Sequence, residues 1–215
     1  MADPNDTKKR IVKKRVAVLI SGRGSNMAAL IEAAKVRDYP AEIALVLSNL
    51  PEAAGLERAR AAGIPTAIID HRPYGADREA FEHALDAQLA THRIEFVCLA
   101  GFMRLLTPPF VRRWNGRMLN IHPALLPQFK GLNTHRRALE AGVERHGATV
   151  HFVAPEMDSG PIIAQESVQV LAGDTEESLA RRVLEVEHRL YPRALRMVAE
   201  GRAALPASDA DSVRH

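Results

Sequence analysis

Residues 16–69 alternate between short β-branched runs and helical patterns, and this alternation leaves the chain few possible folds. Val16-Ala17-Val18-Leu19-Ile20 reads as a buried strand. Met27, Leu30 and Ile31 then recur at helical spacing through about residue 35. Residues 42–48 read as a second strand, residues 54–62 as a helix ended by Gly63, and residues 64–69 as a third strand. Parallel strands need a long crossover, and a helix of this length supplies it. The expected fold is α/β: a doubly wound, mostly parallel, Rossmann-like sheet.

The rest of the chain extends the pattern. Asp77 reads as the N-cap of a helix through about residue 91, and residues 94–100 as a fourth strand. Thr107-Pro108-Pro109 opens a short helix over 110–114, and residues 118–121 form a fifth strand. A helix over 136–141 closes at Gly142. Residues 149–153 and 162–170 read as two strands of a hairpin around Asp158-Ser159-Gly160-Pro161. Thr175 caps a long helix that Pro192 is expected to kink or break before it resumes to about Glu200. One domain over 15–202 is predicted. A basic, disordered extension over 1–14 precedes it, and a loose tail over 203–215 follows.

Composition narrows the function classes. The chain has 215 residues, of which 47% are hydrophobic, enough for one sizeable core. Much of the small net charge of +3 comes from Lys8, Lys9, Arg10, Lys13, Lys14 and Arg15. No aromatic residue interleaves with that run, so it reads as a solvated tail and not as a nucleic-acid platform. Cys98 is the single cysteine and cannot form an internal disulfide. No stretch is long and apolar enough for a membrane helix, and no secretory signal is visible, so a cytoplasmic location without a membrane partner is expected. Neither a metal-binding motif nor a Gly-x-Ser-x-Gly nucleophile turn occurs, and no metal is expected.

Three stretches carry candidate chemistry. Ser21-Gly22-Arg23-Gly24-Ser25-Asn26 joins the first strand to a helix, an arrangement that lets backbone N–H groups approach a phosphate. It is neither a Walker loop nor a full dinucleotide fingerprint, and a tight βα turn without a ligand uses the same glycines. Gly101-Phe102-Met103-Arg104-Leu105-Leu106 follows the fourth strand, where open α/β sheets hold ligands. It could line a pocket for a flat apolar ligand with an acidic tail, or pack under the next helix. Arg78 lies in the first turn of its helix, where a cation is mildly unfavourable, which hints at an outside anionic partner, with a solvent-facing Arg as the bland alternative. Asn120-Ile121-His122-Pro123 places an amide and an imidazole on one face of extended backbone. With Asp158, that pair suits attack by a substrate nucleophile on a carbonyl: an amide donor for the oxyanion and a His–Asp pair to move protons. A satisfied buried polar pair is the bland alternative.

In this order, Ser21-Gly22-x-Gly24-Ser25-Asn26, Ala100-Gly101-Phe102-Met103-Arg104, Asn120-Ile121-His122-Pro123, His135 and Asp158-Ser159-Gly160-Pro161 resemble the folate-dependent formyltransferase family. The similarity runs from about residue 15 to 202. Glu187-His188-x-x-Tyr191-Pro192 and the single-domain length favour its purine-synthesis branch. The resemblance implies transfer of the formyl group of 10-formyltetrahydrofolate to the amine of a glycinamide ribonucleotide, without an acyl-enzyme. It implies that Gly24, Ser25 and Asn26 hold the phosphate and Glu187 a ribose hydroxyl. Met103, Leu105 and Leu106 would meet the pterin, walled by Leu99, Phe110, Val111 and Val153. Arg78 and Arg104 would face the folate's carboxylates. Asn120 would bond the formyl oxygen, His122 would protonate the tetrahedral intermediate, and Asp158 would tune His122 and orient water. Asn133 and Leu184 depart from some relatives, and neither is given a role. Small-molecule substrates and a monomer or weak homodimer are expected. Hydrolysis of 10-formyltetrahydrofolate, formylation of initiator tRNA and a non-catalytic phosphate module are the competing readings. The family's hydrolases and tRNA enzymes usually carry an additional domain for which this chain leaves no room.

Overall fold

A computed structural model describes residues 12–205. Seven strands form one sheet in the order β3-β2-β1-β4-β5-β6-β7. The strands are β1 Lys14–Ile20, β2 Ala41–Ser48, β3 Thr66–Ile68, β4 Phe96–Leu99, β5 Met118–His122, β6 Arg145–Phe152 and β7 Ile162–Gln169. The first five run parallel, whereas β6 and β7 pair antiparallel. This is the doubly wound sheet with a C-terminal hairpin that the alternation predicts.

The helices are α1 Ser25–Ala34, α2 Gly55–Ala61, α3 Arg78–Thr91, α4 Pro108–Arg113, α5 Thr134–Glu140 and α6 Glu176–Ala199. Successive strand side chains point to opposite faces, and the two cores divide accordingly. Val16, Val18 and Ile20 pack with Met27, Leu30, Leu56, Leu179 and Leu190 of α1, α2 and α6. Ala17 and Leu19 pack with Phe81, Leu85, Leu89, Phe110 and Trp114 from α3 to the end of α4. The winding thus reverses face between β1 and β4. Strand order reverses there too, and the loops after β1 and β4 open at that switch point. Among the described residues no helix is long and apolar enough to cross a membrane.

Caps follow the sequence. Asp77 accepts from Ala80 N at 3.0 Å at the start of α3. Thr175 and Ser178 form a reciprocal capping box on α6. Tyr191, fully buried on α6, brings its hydroxyl to 3.0 Å from Leu99 O and 3.1 Å from Leu119 O. The long helix is therefore anchored to β4 and β5 directly under their carboxyl ends.

Four expectations need correction. Helix α6 runs through Pro192 without a break. An interior proline costs about 3 kcal/mol. Leu190, Tyr191 and Leu195 flank it fully buried, and each contributes about 1.5–3 kcal/mol by leaving water, which outweighs that cost. Strand β6 starts at Arg145, four residues before the strand expected over 149–153, so His146 belongs to the same strand as His151. Lys14 lies in β1 and not in an extension: it pairs with Glu95 at 2.7 Å, while neighbouring Arg15 pairs with Glu42 at 2.6 Å. Ala203 and Leu205, expected in a loose tail, pack on the core. Residues 1–11 and 206–215, which carry the rest of the two predicted tails, lie outside the described residues.

Candidate active site

Strand β5 carries Asn120 and His122, and the antiparallel register of β6 sets His151 opposite Asn120. The turn after β6 carries Asp158, whose φ of +49° is a left-handed backbone. Two residues on, only glycine fits: a Cβ on Gly160 would stand 1.8 Å from Phe152 O. The turn therefore folds tightly against the end of β6 and brings its acid back over β5. His122 Nδ1 lies 3.4 Å from Asp158 Oδ2, and the two side chains are 7% and 9% exposed.

Hydrogen-bond partners fix the proton positions. His122 Nε2 is 2.9 Å from Phe129 O, and a carbonyl only accepts, so Nε2 carries the hydrogen. In the neutral ring Nδ1 is then the open position, and it faces Asp158. By the same reasoning, His151 Nδ1 donates to Phe152 O at 2.8 Å, so its Nε2 accepts. The Asn120 atom 3.3 Å from that nitrogen is accordingly the amide Nδ2, a donor. One of its two N–H bonds serves His151, and the other remains for a ligand oxygen. Burial lowers the proton affinity of His151, against the opposing pull of Phe152 O and of Asp158, whose Oδ1 is 3.7 Å from His151 Nε2. Gly131 N–H donates to Asp158 Oδ2 at 2.9 Å.

The loop after β1 ends at Gly24, whose φ of +68° opens α1. No side chain caps α1, and no acid stands in its first turn, so its leading N–H groups are free for an anion. Gly24 also lies against Gly55, where a Cβ would meet Gly55 Cα at 3.1 Å. Asn26 Nδ2 donates to Glu187 Oε2 at 2.7 Å across α1 and α6, while its Oδ1 is buried without a partner among the described residues. Burial raises the Glu187 carboxyl pKa, and the Asn26 bond opposes the shift.

After β4, Gly101 turns with φ +73° and exposes Met103 and Leu105. Ser21 ties this loop to the first: its hydroxyl accepts from Met103 N at 2.7 Å and donates to Asn49 Oδ1 at 2.5 Å. Leu106 is half-buried against the α3–α4 core, together with Val153, while Leu99, Phe110 and Val111 are buried. Arg104 is half-buried and Arg78 exposed, and among the described residues neither forms an ion pair. A cleft of about 440 Å³ lies elsewhere, between the end of β3 and α3, and none of these groups lines it. Among the described residues no three His, Cys, Asp or Glu side chains gather as a metal-ligand set.

The predicted residues therefore fall into three groups. His122 and Asp158 meet directly, with Asn120 joined to them through His151, and Asn26 meets Glu187, whereas Arg78 at the start of α3 and Arg104 on the loop after β4 stand apart. Three contributors were not foreseen: His151 and the backbone groups of Phe129 and Gly131. Pairing residues 149–153 with β5 as well as with β7 would have found His151.

The formyl transferase family model matches residues 14–195. Over 189 residues the chain is 55% identical to the trifunctional purine biosynthetic protein adenosine-3 of Gallus gallus, covering 88% of this chain. It spans only 19% of that protein, about a fifth. It is 47% identical to the phosphoribosylglycinamide formyltransferase of Escherichia coli (strain K12), covering 87% of this chain and 88% of that one. The crystal structure of glycinamide ribonucleotide transformylase 1 from Symbiobacterium toebii superposes with a TM-score of 0.87 at 47% identity, covering 91% and 92% of the two chains.

Proposed function

The chain belongs to the formyl transferase family, and from that premise we propose that it transfers the formyl group of 10-formyltetrahydrofolate to the amine of phosphoribosylglycinamide. The products are formylphosphoribosylglycinamide and tetrahydrofolate. The named activity of the Escherichia coli relative supports the choice of acceptor. The observation that supports the mechanism is the pairing of His122 with Asp158, beside which Asn120, linked through His151, keeps one N–H unused.

In this reading each residue has one task. The folate supplies an activated formyl group bonded to nitrogen. Asn120 donates its unused N–H to the formyl oxygen as negative charge develops there, which is where a fixed donor is most effective. His122 gives or takes a proton at Nδ1, because Phe129 O occupies Nε2. Asp158 faces Nδ1 and steadies the imidazolium that forms when that nitrogen takes up the proton the attacking amine sheds. The amine adds to the formyl carbon to form the new C–N bond, the tetrahedral intermediate then breaks its bond to the folate nitrogen, and the proton lost by the amine ends on that nitrogen by way of His122. No side chain becomes acylated.

Binding assignments follow the same chemistry. The open N-terminus of α1 at Gly24, Ser25 and Asn26 suits the ribonucleotide phosphate. Glu187, held by Asn26, suits a ribose hydroxyl. Exposed Met103 and Leu105, with Leu106 beside them, suit the flat pterin, and Arg78 and Arg104 the folate's carboxylates. The enzyme is proposed to work in the cytoplasm, on small molecules, as a monomer or weak homodimer. The test is mass spectrometry after mixing. A formylated ribonucleotide should appear only when both substrates are present. The intact protein should carry no formyl adduct when the ribonucleotide is left out. A formyl-protein adduct would replace direct attack with a two-step route.

A further inference from the structure

One short loop sets His122 and Asp158 relative to each other, and it is not self-supporting. Phe129 offers its carbonyl to His122 Nε2, and Gly131 N–H donates to Asp158 Oδ2, each at 2.9 Å. Backbone groups two residues apart thus touch both members of the proton pair. Asn133, at φ +55°, is a residue that adopts a left-handed backbone readily, whereas Phe129, at φ +53°, holds that backbone with a bulky side chain for which it is unfavourable. Such a conformation persists only where its surroundings over-determine it.

Arg137 on α5 supplies much of that constraint. Its Nη1 donates to Lys130 O at 2.6 Å and reaches Leu132 O at 3.4 Å. Its guanidinium lies 5.6 Å from the centre of the Phe129 ring, on the face. The ring edge meets His146, buried in β6 and linked to His135 at 3.2 Å. An exposed Lys130–Glu156 pair at 3.5 Å adds little, because solvent screens it. Arg137 itself is exposed and touches neither His122 nor Asp158 through any hydrogen bond or ion pair among the described residues.

We propose that Arg137 is a positioning residue: by clamping residues 129–132 from outside, it holds the Phe129 carbonyl on His122 and the Gly131 N–H on Asp158, and so confines proton exchange to His122 Nδ1. The inference rests on the formyl transfer proposed above. With the clamp released, His122 Nε2 loses its fixed acceptor, the neutral ring takes up both tautomers, and the distance to Asp158 is no longer set. Misplacement of a reacting group by about 1 Å costs on the order of 100-fold in rate. Arg137 is also a cation near a site that holds Asp158, His151, His135 and His146, so a charge-conserving variant is needed to separate geometry from field.

The experiment compares wild type, Arg137→Ala and Arg137→Lys. In Arg137→Ala, kcat should fall roughly 10- to 100-fold while both KM values stay within about twofold, since no proposed binding group is touched. Lysine keeps the charge and one donor but has neither the fork nor the flat stacking face, so Arg137→Lys should fall between the two. Added guanidinium ion should restore part of the Arg137→Ala rate, and added ammonium should not. Nitrogen NMR of labelled histidine gives a readout independent of activity. His122 should be a single Nε2–H tautomer in wild type and a mixture in Arg137→Ala. That arm still decides the positioning role if the wild type fails to formylate the ribonucleotide. Wild-type kcat with a single tautomer in Arg137→Ala would overturn the proposal. If Arg137→Ala does not fold, the same result in Arg137→Lys overturns it.

Discussion

His122 Nδ1 stands 3.4 Å from Asp158 Oδ2, although one residue ends strand β5 and the other sits on the turn that follows β6. The separation is longer than a good hydrogen bond, as expected of a pair that tightens only around a reacting group. If it moves the proton, His122→Ala and Asp158→Asn should each lower kcat by about 10²–10⁴-fold. Both should leave the fold intact by circular dichroism. Near-normal turnover in either variant would remove that residue from the mechanism.

Gly55 offers a test of the phosphate assignment from outside the loop. A Cβ there would stand 3.1 Å from Gly22 O and 3.3 Å from Gly24 Cα, and 2.6 Å from the flexible tip of Ile20. The isoleucine tip can swing away, but the loop backbone must shift. Such overpacking typically costs about 1–3 kcal/mol. If that cost falls on bound phosphate, Gly55→Ala raises the ribonucleotide KM roughly tenfold and leaves the folate KM alone. Steady-state kinetics with each substrate varied would decide it. A rise in the folate KM alone would contradict the site map.

Acid sensitivity should trace partly to His146. Burial, helped by His135 and His122, lowers its pKa from 6.5 to about 4. The unfolded chain therefore binds a proton at this position at higher pH than the native chain does. Its contribution to stability is fully present above pH 6.5 and is lost as pH falls towards 4. Urea midpoints measured from pH 7 down to 4.5 should fall less steeply in His146→Gln than in wild type. Parallel curves would show that His146 does not titrate on unfolding in that window.

Much of the fold was legible because it rests on periodicity. The β-branched runs at 16–20 and 42–48 and the glycine turns between elements carry their own local signals, whereas the strand order appears only in the folded sheet. Asn120-x-His122 was legible for the same reason: a two-residue spacing on a strand fixes one shared face. The support around that pair was not. Phe129 and Gly131 act through backbone groups, which any residue type carries, so no letter in the sequence marks them. His151 reaches Asn120 through an antiparallel register that only the folded hairpin sets. Pro192 misled because local propensity predicts a break, whereas the apolar face on both sides of it is held by the sheet.

The central claim is that the ribonucleotide amine, and not water, takes the formyl group at this site. The direct measurement is the absorbance change on release of the deformylated folate, followed with and without phosphoribosylglycinamide at equal enzyme. The account predicts release only when the ribonucleotide is present, in equal amount to the formylated product. Release at the same rate without the ribonucleotide would contradict it and make the chain a hydrolase of 10-formyltetrahydrofolate.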